Sequence, residues 1–130
     1  MPTRSRAFPS APETAAAARA FLRETAALRL QRRLLRDALL LTTELTTNAV
    51  RHGSGAGDPI DVIVSIDDRA VRVTVRDRGS GFDPAQSQAR TEDGGWGLDL
   101  VDALATRWGV DPGDGTTEVW FELDPGAPGT

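Results

Sequence analysis

The chain has no cysteine, no lysine and no tyrosine. Without cysteine there are no disulfides and no thiolate metal sites, and nothing in the composition asks for an oxidising compartment. All 15 basic residues are arginine, which excludes a P-loop lysine and a Schiff-base lysine. No apolar run reaches the roughly 18–20 residues that a membrane-spanning helix needs. The opening Met1-Pro2-Thr3-Arg4-Ser5-Arg6 leads into no apolar signal core, so a cytoplasmic location without membrane attachment is expected. The net charge of −4 argues against unaided binding to nucleic acid, which requires a basic footprint. Arg29, Arg32, Arg33 and Arg36 are a local exception, either a solvated helix start or a patch for an acidic protein partner. At 130 residues the chain is expected to form one domain over 1–130 with a single core.

What is present is a hydrophobic period that changes partway along the chain. From Glu13 to about Leu30, Ala17, Phe21, Leu22, Thr25 and Leu28 recur at helical spacing and predict an amphipathic helix. A second helix is predicted from Arg32 to about His52, with Leu34, Ala38, Leu41, Leu45 and Ala49 on one stripe and Gly53 as its stop. After a loop over 53–59 the period falls to two. Ile60, Val62, Val64 and Ile66 then form one strand of an antiparallel hairpin, and Val71, Val73 and Val75 the other. Residues 78–95 are glycine-rich with little apolar content, the mark of a long loop that is functional or disordered. A helix from about Trp96 to Thr106 and a hairpin pairing Trp108–Val110 with Thr117–Leu123 follow. An edge strand is expected near Arg6–Pro9 and a disordered tail over 124–130. Helices and antiparallel hairpins without strict alternation predict an α+β two-layer sandwich, a mixed but mostly antiparallel sheet with helices on one face.

Three polar motifs stand on these elements in order: Glu44-Leu45-Thr46-Thr47-Asn48-Ala49-Val50-Arg51-His52-Gly53, Asp77-Arg78-Gly79-Ser80-Gly81 and Gly94-Gly95-Trp96-Gly97-Leu98. Taken singly they read as a solvated helix face, a tight turn and a flexible loop. On the second helix Glu44, Asn48, Arg51 and His52, at offsets of four, seven and eight, share a face beside the apolar stripe and can line a pocket floor. His52, the one histidine, reads as a pocket wall or helix end. Asp77 continues the core-facing row of Val71, Val73 and Val75. A carboxylate there either caps its own turn or needs a donor partner, because an unpaired buried charge is costly. Gly79 and Gly81 let the backbone turn and a flat ring approach. The glycines of 94–97 open a helix, where free N–H groups and the helix dipole favour anions.

In this order and spacing the motifs resemble the nucleotide site of the GHKL ATPase superfamily, and most nearly the small serine-kinase anti-sigma factors of bacteria. The likeness spans roughly residues 8–123 and implies the Bergerat fold. It also implies ATP and Mg2+ as ligands. By the resemblance Asn48 supplies an oxygen to Mg2+, Glu44 is the general base and Arg51 meets phosphate. Asp77 holds the adenine amine with Gly79 and Gly81 beside it, helped by Thr116 or Thr117. Gly95, Gly97 and Leu98 belong to the hinge of an ATP lid over 82–95. The implied activity is serine/threonine phosphorylation of an anti-sigma antagonist, with a sigma factor and a second copy of the chain as further partners. No phosphoacceptor helix pair precedes the motifs and no further domain follows them, so a histidine autokinase, a gyrase or a chaperone is not expected. The competing readings are a nucleotide-dependent binding module without phosphotransfer and a scaffold that binds no nucleotide.

Overall fold

The computed structural model describes residues 3–53, 55, 57–78, 98–113 and 115–125. Strand β1 (Thr3–Pro9) leads to helices α1 (Thr14–Ala26) and α2 (Arg32–Asn48), and α2 runs into a π-helical turn (Ala49–Gly53). Then come the hairpin of β2 (Pro59–Asp67) and β3 (Ala70–Asp77), helix α3 (Leu98–Leu104), and the hairpin of β4 (Arg107–Pro112) and β5 (Thr117–Leu123). The strands form one sheet in the order β1-β2-β3-β5-β4, and every neighbouring pair is antiparallel. This is the α+β two-layer sandwich that the pattern predicts. Among the described residues no helix is long and apolar enough to cross a membrane.

The core follows from strand register. Val64 faces Val73, which faces Phe121, and Val62 faces Val75, which faces Val119, so apolar rows cross the sheet on one face. Onto that face α1 brings Ala18, Phe21, Leu22 and Ala26, while α2 brings Leu34, Ala38, Leu41 and Leu45. The α2 stripe is the expected one. On α1 the innermost residues are Ala18 and Ala26 rather than Ala17 and Thr25, which are half-buried.

The first helix also stops early. The Ala26 carbonyl accepts the N–H of both Arg29 and Leu30, at 2.9 and 3.0 Å. That closure turns the chain toward α2, leaves Leu28 fully exposed and buries Leu30. Arg29, Arg32, Arg33 and Arg36 are all exposed around this turn. Strand β1 begins at Thr3, earlier than expected, and pairs with β2 along its whole length. Its Pro9 stands at the end of an edge strand, where a missing donor is tolerated.

The outer face of the sheet carries cross-strand charge ladders. Arg72 donates to Glu122 at 2.7 Å, and Arg107 donates through Nε to the same carboxylate at 2.6 Å and through an Nη to Asp124 at 2.9 Å. The hydrogen bond from Arg107, then that from Arg72, holds the Glu122 carboxyl below its ordinary range. A depressed carboxyl pKa contributes stability above the unfolded glutamate value, and that contribution is lost as pH falls through the folded value. Glu122→Gln is therefore expected to lower stability at neutral pH by no more than about 1 kcal/mol, since the pairs are partly solvated. The gap between wild type and variant should close in acid. Urea melts at neutral pH and below the ordinary glutamate range check this, and an undiminished gap in acid would assign the loss to packing.

Candidate functional site

The end of β3 departs from the apolar pattern of its own row. Val71, Val73 and Val75 are buried, and Asp77 follows them inward at 3% exposure. Directly opposite on β5 stands Thr117, 2% exposed. Facing residues of an antiparallel pair project from the same face, so these two polar side chains are neighbours at the end of the core. Thr116 lies outside the strand and is half-buried, so strand register separates the two threonines. Glu118 turns to the outer face and accepts from Arg76 Nε at 2.7 Å.

Helix α2 delivers the second polar group. Its last residue, Asn48, is 4% exposed, and its Oδ1 and Nδ2 are both buried with no hydrogen-bond partner among the described residues. Leaving a buried polar group unpaired costs roughly 1–3 kcal/mol. An amide kept in that state on a cavity wall suits a ligand that supplies the missing partners. Asn48 and Asp77 line one cavity, whose apolar walls are Leu45, Ala49, Val75, Leu98 and Val119. Elements α2, β3, α3 and β5 thus converge on it. Among the described residues its volume is ≈ 10 Å³, about the room of one water.

Regular α-helix ends at Asn48, and the next five residues form the π-helical turn. Such wide turns are rare and frequent at functional sites. Face offsets counted at α-helical spacing therefore hold for Glu44 and Asn48 but not for Arg51 and His52. Glu44 is half-buried one turn before Asn48 and is not in the cavity wall; Arg51 is exposed and His52 half-buried. The same turn lays Gly53 against Asp77. A Cβ on Gly53 would stand 2.4 Å from Asp77 Cγ and Oδ2 and 2.7 Å from Oδ1.

Of the residues predicted from sequence, the cavity gathers Asn48, Asp77 and Leu98, and strand register adds Thr117 beside Asp77. Gly79, Gly81, Gly95, Gly97 and the lid segment 82–95 lie outside the described residues. Gly53, the helix stop and last residue of the first motif but given no site role by the sequence, lies against Asp77. Leu45, Ala49, Val75 and Val119 were legible as core but not as cavity wall, because periodicity marks burial and not what is buried against it.

The family model of the histidine kinase-like ATPase domain matches residues 8–123. Among solved structures, the crystal structure of the RsbU and RsbW domains of Rv1364c from Mycobacterium tuberculosis has a TM-score of 0.71 at 24% identity. That match covers 95% of this chain and 32% of the other, so this chain spans about a third of that protein's resolved length. At this identity the likeness is one of fold. No curated protein matches.

Proposed function

Because the chain belongs to the histidine kinase-like ATPase domain family, we propose that it is an ATP-dependent serine/threonine protein kinase that phosphorylates an anti-sigma antagonist. The observation that carries the nucleotide part of this reading is the cavity in which the buried Asp77 carboxylate and the unpaired Asn48 amide meet. An ionised carboxylate only accepts hydrogen bonds, which suits the exocyclic amine of adenine. Thr117, beside Asp77, adds a hydroxyl that both donates and accepts. The Asn48 oxygen suits Mg2+, which takes one or two protein oxygens and completes its shell with phosphate and water. When bound, the metal supplies positive charge against the phosphates.

In this scheme Glu44 accepts the proton of a serine hydroxyl as its oxygen bonds to the γ-phosphorus and the bond to the departing ADP oxygen breaks. Phosphoserine and ADP are the products, and the proton rests on the Glu44 carboxylate until water removes it. Arg51 and the glycines at 79, 81, 95 and 97 complete the proposed nucleotide contacts, with residues 1–130 as one ATP-binding domain whose ordered core spans about 8–123. The partners in this reading are the antagonist, a sigma factor held inactive when the antagonist is absent, and a second copy of the chain. The location is the cytoplasm.

A second reading is a nucleotide-gated binding module without phosphate transfer, favoured by the position of Glu44 outside the cavity wall. Incubation with labelled ATP and candidate antagonist domains separates the two: phosphoserine on the antagonist supports the kinase, and tight ATP binding without transfer supports the module. Asn48→Ala is expected to abolish the Mg2+-dependent part of ATP affinity while leaving the metal-free part within a few-fold, because only one oxygen of the metal's shell is removed. Titrations with Mg2+ and with a chelator test this. Unchanged metal dependence would make Asn48 a buried amide with a purely structural partner.

A further inference from the structure

We infer that Gly53 is a positioning residue for the Asp77 carboxylate, so that the π-helical end of α2, and not β3 alone, sets the direction in which Asp77 presents its acceptors. The inference rests on the nucleotide reading above and names a residue that this reading does not use.

Two kinds of glycine occur near this end of the molecule. Gly57 and Gly115 have φ of +82° and +73°, a conformation that other residues avoid, and nothing lies within 4 Å of where their side chains would be. Gly53 is the opposite case. It is not among the positive-φ residues, so its backbone does not require glycine. What requires it is the carboxylate of Asp77, with three side-chain atoms at 2.4, 2.4 and 2.7 Å from the place of a Cβ. Real side chains do not approach so closely, and Asp77 is short and buried, with little freedom to retreat. A bare Cα is the only group that fits there.

The placement has a cause in the fold. Residue 53 ends the widened turn that begins directly after Asn48. The turn therefore couples the two polar groups of the cavity, with Asn48 at its start and the seat of Asp77 at its end. A carboxylate with the main chain of Gly53 on one side and Thr117 beside it is restricted in orientation, and a hydrogen bond to the exocyclic amine of adenine depends steeply on orientation.

The test compares wild type, Gly53→Ala, Asp77→Ala and the double variant. ATP and purine riboside 5′-triphosphate, which lacks the 6-amino group, are titrated with Mg2+, and thermal melts are run on the same preparations. Gly53→Ala is expected to lose about tenfold in ATP affinity and little for the amine-less nucleotide, so that discrimination between the two shrinks. It should melt below wild type. The same change made in Asp77→Ala should lower the melting temperature less, because the atoms that the new methyl would meet are gone. Wild-type ATP affinity in Gly53→Ala, a parallel loss for both nucleotides, or an equal drop in melting temperature in both backgrounds would each overturn the inference. If wild type binds neither nucleotide, the nucleotide reading fails, and the melts alone decide whether Gly53 seats Asp77. Should Gly53→Ala fail to fold, recovery of folding in the double variant supports the contact and continued failure refutes it.

Discussion

Glu44→Ala is expected to cut phosphate transfer to a serine-bearing antagonist by about 100- to 10,000-fold, the usual loss on removing a general base, while ATP affinity stays near wild type. The separation follows from where the residue sits. Helix α2 is regular through Asn48, so an offset of four places Glu44 just over one turn, about 6 Å, along the axis from the amide. Glu44 is half-buried and takes no part in the wall that Asn48 and Asp77 share. In the proposed kinase reading a group outside that wall would act on an incoming hydroxyl rather than on the nucleotide base, so its removal would fall on the chemical step. In the binding-module reading it would leave ATP affinity equally untouched, and the transfer assay separates the two. Both quantities must be read on one preparation: nucleotide affinity by titration and phosphoserine by labelled transfer. Transfer at the wild-type rate would remove Glu44 from the base role. A large loss of ATP affinity would make it a binding residue instead.

Asp77→Asn is expected to weaken ATP binding by about 1–3 kcal/mol, roughly five- to 150-fold, and to erode the preference for ATP over GTP. The substitution preserves shape, so the contact with Gly53 and the position beside Thr117 are retained and the fold should survive. What changes is chemistry: one acceptor oxygen becomes a donor facing the donor amine of adenine. Because Asp77 is 3% exposed, water cannot replace the lost interaction cheaply. Calorimetric titration of both nucleotides against both proteins checks this. Equal ATP affinity in the two proteins, or equal affinity of wild type for ATP and GTP, would remove the base-recognition role from Asp77.

Most of the architecture is legible in the sequence. The period-2 rows of β2 and β3 are local signals, and each appears in the structure with the expected side inward. The apolar stripe of α2 is equally local and is buried as read. What failed was phase near element ends. On α1 Phe21 and Leu22 are buried as expected, but the flanking core positions are Ala18 and Ala26 rather than Ala17 and Thr25, and Leu28 is exposed because a turn and not a helix carries it. At the other end of α2 the change to π-helical geometry alters the angular offsets of Arg51 and His52 from those counted at α-helical spacing. Helix ends are settled by where the next element must go, and a window of sequence does not contain that information.

The candidate site divides in the same way. By itself the sequence determined which residue types stand at the ends of which elements: a carboxylate closing a core-facing strand, and an amide near the end of an amphipathic helix. Local periodicity is enough for that, because a strand alternates and a helix repeats whatever they pack against. Only the tertiary structure decided that Asn48 and Asp77 share a cavity, and that Thr117 rather than Thr116 lies beside the carboxylate. It alone made Gly53 a seat for Asp77. Each of these is a contact between residues more than 20 positions apart. Such contacts depend on strand register and on the pitch of one widened helical turn, and both are set by the packing of the whole sandwich.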